Sequence, residues 1–385
     1  MEKHLAKLCM KSPGVAIRNP QICHFMPPFN WGRSHDFLTC LLTERRKIIR
    51  LRKRRLGVPI SKRGFAMKRV FVEAIGSKVS SIGFGCASLG SRIGVRKGIE
   101  TLERAYEAGV TWYDVAPSYG DGMAESIWGE FASRKRDRVC VCTKVGMRPP
   151  KTSATMRLLK PLSRIAVATV PALKQHASRV RPTPFKVPLS AALIRSSVEE
   201  SLKRLRTDYV DVLALHRPTA EELVREDIIR AVERVIQDGK ARAISVAGDL
   251  EAGMTALQES LPYRFVQIAN TPLESNLAKL KARSHRHRTF VTHGTFSGLN
   301  RIVAKFNARK EILVALGDLG YHGSPTEIAI AFLADYAFAT NSAGVTLVSM
   351  FKKEHLDFNL RRLKHDPTPD RLNAAIAALD MGVED

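Results

Sequence analysis

Thr111-Trp112-Tyr113-Asp114-Val115-Ala116-Pro117-Ser118-Tyr119-Gly120, running on to Glu125, decides how the rest of the chain is read. Its first residues are β-branched or aromatic and follow a helical segment closed by Gly109, which predicts a strand ending at Asp114. A Pro/Ser/Gly loop then carries Tyr119 five residues past that aspartate. Two further apolar strands end alike: Val139-Cys140-Val141-Cys142-Thr143-Lys144 stops on a lysine before Gly146, and Val210-Asp211-Val212-Leu213-Ala214-Leu215-His216 stops on a histidine before Pro218. Asp114, Tyr119, Lys144 and His216 are thus expected at or just beyond the C-terminal ends of three strands.

Each of the four has an ordinary reading alone: a buried Tyr with a satisfied hydroxyl, a solvated strand-end Lys, a core His, an Asp capping a helix. Together, at matching ends of successive strands, they read as a site. A phenol ionises near pH 10, so it serves as a general acid–base near neutrality only if a neighbouring cation favours its phenolate. Lys144 would supply that cation, Asp114 would hold Lys144, and His216 would orient a carbonyl oxygen.

This pattern (a strand-end Asp, four residues, Tyr-Gly, a Glu soon after, then strands ending Thr-Lys and His) resembles the aldo-keto reductases over Lys68 to Leu363. The resemblance implies an α/β fold, a (β/α)8 TIM barrel with a long loop insertion after the third strand. It also implies a nicotinamide cofactor bound without a Rossmann motif, Tyr119 as proton donor, and Asp114, Lys144 and His216 as its tuning partners.

The 385 residues are divided into a basic N-terminal extension, 1–66, and a barrel, 67–385. The net charge is +25, high enough to raise the question of nucleic acid or an anionic membrane. Residues 1–66 hold six Lys and nine Arg against three acids, a net +12, so much of the excess lies outside the barrel and nucleic acid is not the expected partner. Three readings of this extension stand open: translation starting at Met67, a disordered basic arm, or an Arg-rich organellar transit peptide. It has no signal-type apolar core and no run near the ~20 apolar residues of a membrane span. Six scattered cysteines, Cys9, Cys23, Cys40, Cys86, Cys140 and Cys142, show neither metal-ligand nor disulfide spacing, which fits a reducing, cytoplasmic setting. Cys140 and Cys142 share one strand face, where small buried apolar roles are expected.

From Val79 the run Val-Ser-Ser-Ile-Gly-Phe-Gly-Cys-Ala-Ser reads as a strand, with Ser88 where a dinucleotide fingerprint needs a third glycine. The resemblance makes this the first barrel strand, with Gly83 and Gly85 admitting the cofactor. Helical spacing follows over Arg96 to Glu107 and Met123 to Ser133, and strand–helix alternation predicts a parallel sheet. Between Lys144 and Leu189 lies an insertion rich in Lys, Arg and Pro, its apolar piece Ile165–Leu173 reading as a short lid helix or an irregular loop. Insertions of this kind, and the run Ser196 to Leu205 before Tyr209-Val210-Asp211, are similar to sugar dehydrogenases of the family that oxidise aldoses at the anomeric carbon.

One helix is expected over Ala220 to Gln237, one from Leu299 to Leu316 and one over Pro325 to Ala339. Where the family often has Ser-Asn on the nicotinamide carboxamide, this chain has Ala247-Gly248. The resemblance therefore moves that role to Gln267, with Asn270 nearby. His293, ending a strand, stands where the resemblance implies a ring that stacks on nicotinamide, and reads otherwise as a loop histidine. His285 and His287 read as a solvated turn, and no metal site is expected. After the last strand, Val345 to Met350, the resemblance places Ser349, Lys352 and Asn359 at the adenosine end of the cofactor, which favours NADP(H) over NAD(H). His355, standing where NADP-preferring members often have Arg, tells against that preference, and Lys352 with Lys353 also reads as an ordinary exposed helix start. The expected function is hydride transfer between NAD(P)H and a carbonyl or alcohol (an aldehyde, a ketone or an aldose). Two other readings remain, a nucleotide-binding regulatory barrel without turnover and a polyanion-associated protein acting through its basic arm.

Overall fold

A computed structural model describes residues 67–150, 183–284, 288–365 and 367–380. The basic extension, the piece Ile165–Leu173, and His285 and His287 lie outside the described residues.

A hairpin of β1 (Arg69–Val72) and β2 (Ser77–Ser80) opens the described chain, and β3 (Ile82–Gly85), α1 (Val95–Glu107), β4 (Trp112–Asp114) and α2 (Ala124–Ala132) follow. Next come β5 (Cys140–Val145), the two-residue strands β6 (Met147–Arg148) and β7 (Phe185–Lys186) that bracket the insertion, α3 (Ala191–Leu205) and β8 (Val210–His216). The chain continues through α4 (Ala220–Val224), α5 (Glu226–Gln237), β9 (Ala241–Ala247), α6 (Leu250–Ala256), β10 (Tyr263–Ala269), α7 (Asn276–Arg283) and β11 (Thr289–His293). It ends with α8 (Leu299–Ala308), α9 (Lys310–Asp318), α10 (Pro325–Thr340), β12 (Val345–Val348), α11 (Lys353–His365) and α12 (Pro369–Asp380).

Strands β3, β4, β5, β8, β9, β10, β11 and β12 close, in that order, into a parallel barrel, β12 pairing back onto β3. The insertion follows the third of these, β5, as the sequence predicts. Side chains alternate across each strand. One set, including Trp112, Cys140, Cys142, Val212, Phe265, Val291 and Leu347, fills the interior. The alternate set, including Tyr113, Val141, Leu213, Ile244 and Val266, packs under the outer helices. Interior parity carries on to Asp114, Lys144, His216, Gln267 and His293, so the same alternation that builds the core aims all five at one end of the barrel.

The strand character near Val79 belongs to the hairpin. Val70, Val72, Ile75 and Val79 pack on the interior cluster, and Arg242 at the start of β9 donates to the Ile75 carbonyl, so the hairpin stoppers the N-terminal end. Gly83 also differs from expectation. A Cβ there would lie 2.5 Å from Leu347 and 2.7 Å from Trp112, so its bareness makes room for the indole inside the barrel. Only Gly85, near Ser349, opens on the mouth.

Two predicted helices are each a pair. Arg225 is extended (φ −68°, ψ 128°) because its guanidinium ties down Asp227 and the Leu189 carbonyl, and the chain restarts as α5 on Glu226 and Asp227. The second is broken at Arg309, whose backbone is also extended (φ −132°, ψ 92°). Cys86, Cys140 and Cys142 are free and buried, as their sequence setting implies. Among the described residues no helix is long and apolar enough to cross a membrane, and no three His, Cys, Asp or Glu side chains gather as a metal site.

Trp112 is fully buried against Phe265 at a ring separation of 5.8 Å. Trp112→Ala should cost about 3–5 kcal/mol in urea unfolding; a loss below about 1 kcal/mol would contradict an interior held together by this ring.

Candidate active site

Lys144 is a cation with only 1% of its surface exposed. An unpaired charge so placed would be costly. Its ammonium meets Asp114 Oδ1 at 2.5 Å and the Val115 carbonyl at 3.2 Å. Burial pulls the Lys144 pKa down, but Asp114, Tyr119 and Cys142 outweigh it and the net shift is upward, so the group stays a cation.

Tyr119 reaches the same pair from the loop after β4. Its hydroxyl is 3.5 Å from Asp114 Oδ1, and the Lys144 ammonium is 4.8 Å from its ring centre. Burial pushes the phenol up to about 12, opposed by Lys144 and reinforced by Asp114. This corrects the expectation of a phenolate-favouring site. Lys144 offsets part of the burial effect without overcoming it, and the resting group is a protonated phenol. His216 faces Tyr119 edge-on at a ring separation of 6.0 Å. Burial, then the charges of Lys144, Arg217 and His293, lower its pKa to about 3, so the imidazole is neutral at physiological pH.

Local sequence fixes these positions. Gly120 is left-handed (φ 59°), and a Cβ there would stand 1.6 Å from the Leu89 carbonyl oxygen, so only glycine lets the Tyr119 turn lie on the preceding loop. Gly146 (φ 120°) similarly lets the chain after β5 cross the His216 carbonyl, 2.7 Å from where its Cβ would be. Behind Lys144, the fully buried Glu125 accepts from Thr143 Oγ1 at 2.5 Å and pairs with Arg204 at 2.6 Å. Glu125 thus clamps β5 from outside. The sequence pattern included it without giving it a role, although Thr143 beside Lys144 was a usable signal.

The remaining predicted residues follow the mouth round to β12. Gln267 is buried with Oε1 unpartnered, and His293 is half-buried, its pKa lowered by burial first. Ser349 and Lys352 are exposed, Lys352 immediately before α11. Asn359 is buried on α11, its amide donating to the His355 carbonyl at 2.8 Å and its Oδ1 unpartnered. Two buried amide oxygens without partners, an exposed hydroxyl and a cation at a helix N-terminus suit an elongated ligand with amide and phosphate groups, as a nicotinamide dinucleotide has. The side chain of Asn270 receives the Leu277 N–H at 3.0 Å and donates to Thr340, and so also fixes α7.

Fold and polar mouth together define a parallel (β/α)8 barrel with its site at the C-terminal ends of the strands. A family model, "Aldo/keto reductase family", matches residues 81–380, and the chain belongs to that family of oxidoreductases. Among curated relatives, a D-threo-aldose 1-dehydrogenase of a Pseudomonas species is 28% identical over 210 residues, 51% of this chain and 58% of that protein. The L-galactose dehydrogenase of Arabidopsis thaliana is 29% identical over 191 residues, 47% of this chain and 50% of that protein. The chain thus spans about half the length of these relatives. Solved structures share the fold: an aldo-keto reductase from Bacillus halodurans (TM-score 0.60, 20% identity, 82% of this chain and 96% of that one) and a glycerol dehydrogenase from Gluconobacter oxydans (0.61, 19%, 81% and 94%).

Gly120→Ala should lower stability by more than about 1 kcal/mol and displace Tyr119. A thermal melt unchanged from wild type would contradict the close approach to Leu89.

Proposed function

We propose that this barrel catalyses hydride transfer between NADP(H), in preference to NAD(H), and a carbonyl or alcohol substrate (an aldehyde, ketone or aldose), with Tyr119 giving or taking the proton at the substrate oxygen. The observation that carries this reading is the buried Lys144–Asp114 pair at 2.5 Å, within reach of the Tyr119 phenol. A core needs no such pair, because apolar residues would be as stable there. It earns its place by acting on the phenol.

When bound, the nicotinamide supplies or accepts the hydride. Gln267 and His293 would hold its ring end, and Ser349, Lys352 and Asn359 its adenosine end. The choice of NADP(H) rests on Lys352, just ahead of α11, a 13-residue helix, meeting the 2′-phosphate that NAD(H) lacks, since a phosphate gains from both the cation and the helix N-terminus. In reduction, Tyr119 donates its proton to the carbonyl oxygen as negative charge develops there. Lys144 then faces the resulting phenolate and stabilises it, while Asp114 keeps the ammonium aimed. His216, neutral, offers an N–H to the same oxygen and orients the carbonyl. Aldoses enter the substrate range because two relatives carry sugar dehydrogenase names.

Tyr119→Phe should bind nicotinamide nucleotide as wild type does, by fluorescence titration, and lose about 10²–10⁴-fold in turnover; undiminished turnover would defeat the assignment. The pH profile is fixed by the same groups. Reduction needs protonated Tyr119 and neutral His216, so it should show no ionisation limb between about 3 and about 12 wherever the fold survives. Oxidation needs the phenolate, so its rate should climb with pH through neutrality. An oxidation profile already flat below neutral pH would contradict this.

A further inference from the structure

Arg217, directly after His216, is exposed and has a left-handed backbone, φ 55°. A non-glycine residue held there is strained. It is pinned by its own N–H donating to the Ala247 carbonyl at 2.7 Å and by Pro218 behind it. Among the described residues no carboxylate pairs with its guanidinium. Three acids on neighbouring elements are already engaged: Asp114 by Lys144, Glu222 by Lys186 at 3.0 Å and by two backbone N–H groups, and Asp249 by the Ala252 N–H at 3.0 Å. Arg148, also exposed and without a carboxylate partner among the described residues, lies two residues past Gly146, where the chain crosses the His216 carbonyl.

Position in the ring separates these cations from the proposed cofactor groups. Strand β8, which ends at His216, is the fourth of eight in barrel order, and β12, which leads to Lys352 and Asn359, is the eighth, so they stand on opposite sides of the mouth. Arg217 follows His216 directly at the C-terminal end of β8, four strands round the barrel from β12, and so stands on the His216 side of the mouth.

Resting on the oxidoreductase reading above, we infer that Arg217, together with Arg148 from just past the end of the adjacent barrel strand β5, forms an oxyanion subsite, and that the carbonyl substrate carries a carboxylate or phosphate group. Guanidinium groups hold either oxyanion through paired, charge-assisted hydrogen bonds.

The test compares kcat/KM for two pairs of aldehydes, 4-carboxybenzaldehyde with benzaldehyde and glyceraldehyde 3-phosphate with glyceraldehyde. The charged member of at least one pair should be favoured about tenfold or more, and which pair responds distinguishes carboxylate from phosphate. Arg217→Gln should remove that preference and Arg217→Lys restore part of it, with cofactor affinity by fluorescence titration held within about twofold. No preference in wild type would overturn the inference, as would a preference that survives in R217Q or a loss that falls on cofactor binding. If R217Q fails to fold, the wild-type preference and Arg148→Gln decide, loss of preference in R148Q supporting the subsite and full retention counting against it. If no aldehyde turns over, the oxidoreductase reading fails by itself. Calorimetric titration with benzoate and with inorganic phosphate then judges the subsite, binding that depends on Arg217 upholding it and absence of binding overturning it.

Discussion

A buried ammonium held by a buried carboxylate sets the terms for the rest of this barrel. Lys144 and Asp114 are both almost wholly out of water, and the desolvation of two charges is repaid only by close and exact contact. Everything that fixes β4 against β5 therefore supports the pair: the parallel register Asp114↔Cys142, the Val115 carbonyl on the ammonium, and Glu125 gripping Thr143 on the outer face. Lys144 also explains the neighbouring protonation states. Burial first, and then this positive charge, hold His216 neutral, and the same charge partly relieves the burial of Tyr119.

The barrel divides its labour by height. At the N-terminal end the hairpin residues Val72, Ile75 and Val79 and the interior Trp112 and Phe265 form a dry plug. At the C-terminal end the same inward parity delivers polar groups. A single periodicity thus yields an apolar core below and a polar mouth above, and the loops between strands are free to differ in length, as the segment between β6 and β7 does.

Much of this is legible in sequence because strand ends are sharply marked. β8 ends at His216 and β4 at Asp114 as their apolar runs and following Pro or loop residues require, and the Lys144 strand is displaced by one residue from its expected limits. The roles of Gly83, Arg225 and Asn270 were not legible, since each depends on a partner distant in sequence: Leu347 and Trp112 against the first, Leu189 on the second, Leu277 and Thr340 on the third. The upward shift of Tyr119 was hidden for a related reason. Sequence names the cation beside the phenol but does not measure how much water is removed from around it. Arg217 went unremarked because a left-handed backbone at a non-glycine residue has no sequence signature.

The central claim is that Lys144 acts through Tyr119. A double-mutant cycle with Tyr119→Phe and Lys144→Met, read as carbonyl-dependent oxidation of reduced nicotinamide cofactor, tests it most directly. Residues that act as one unit are not additive. The account predicts that the double variant is no slower than the slower single variant, because without the phenol the ammonium has nothing to tune. Losses that multiply would mean that Lys144 and Tyr119 contribute independently, and would contradict it.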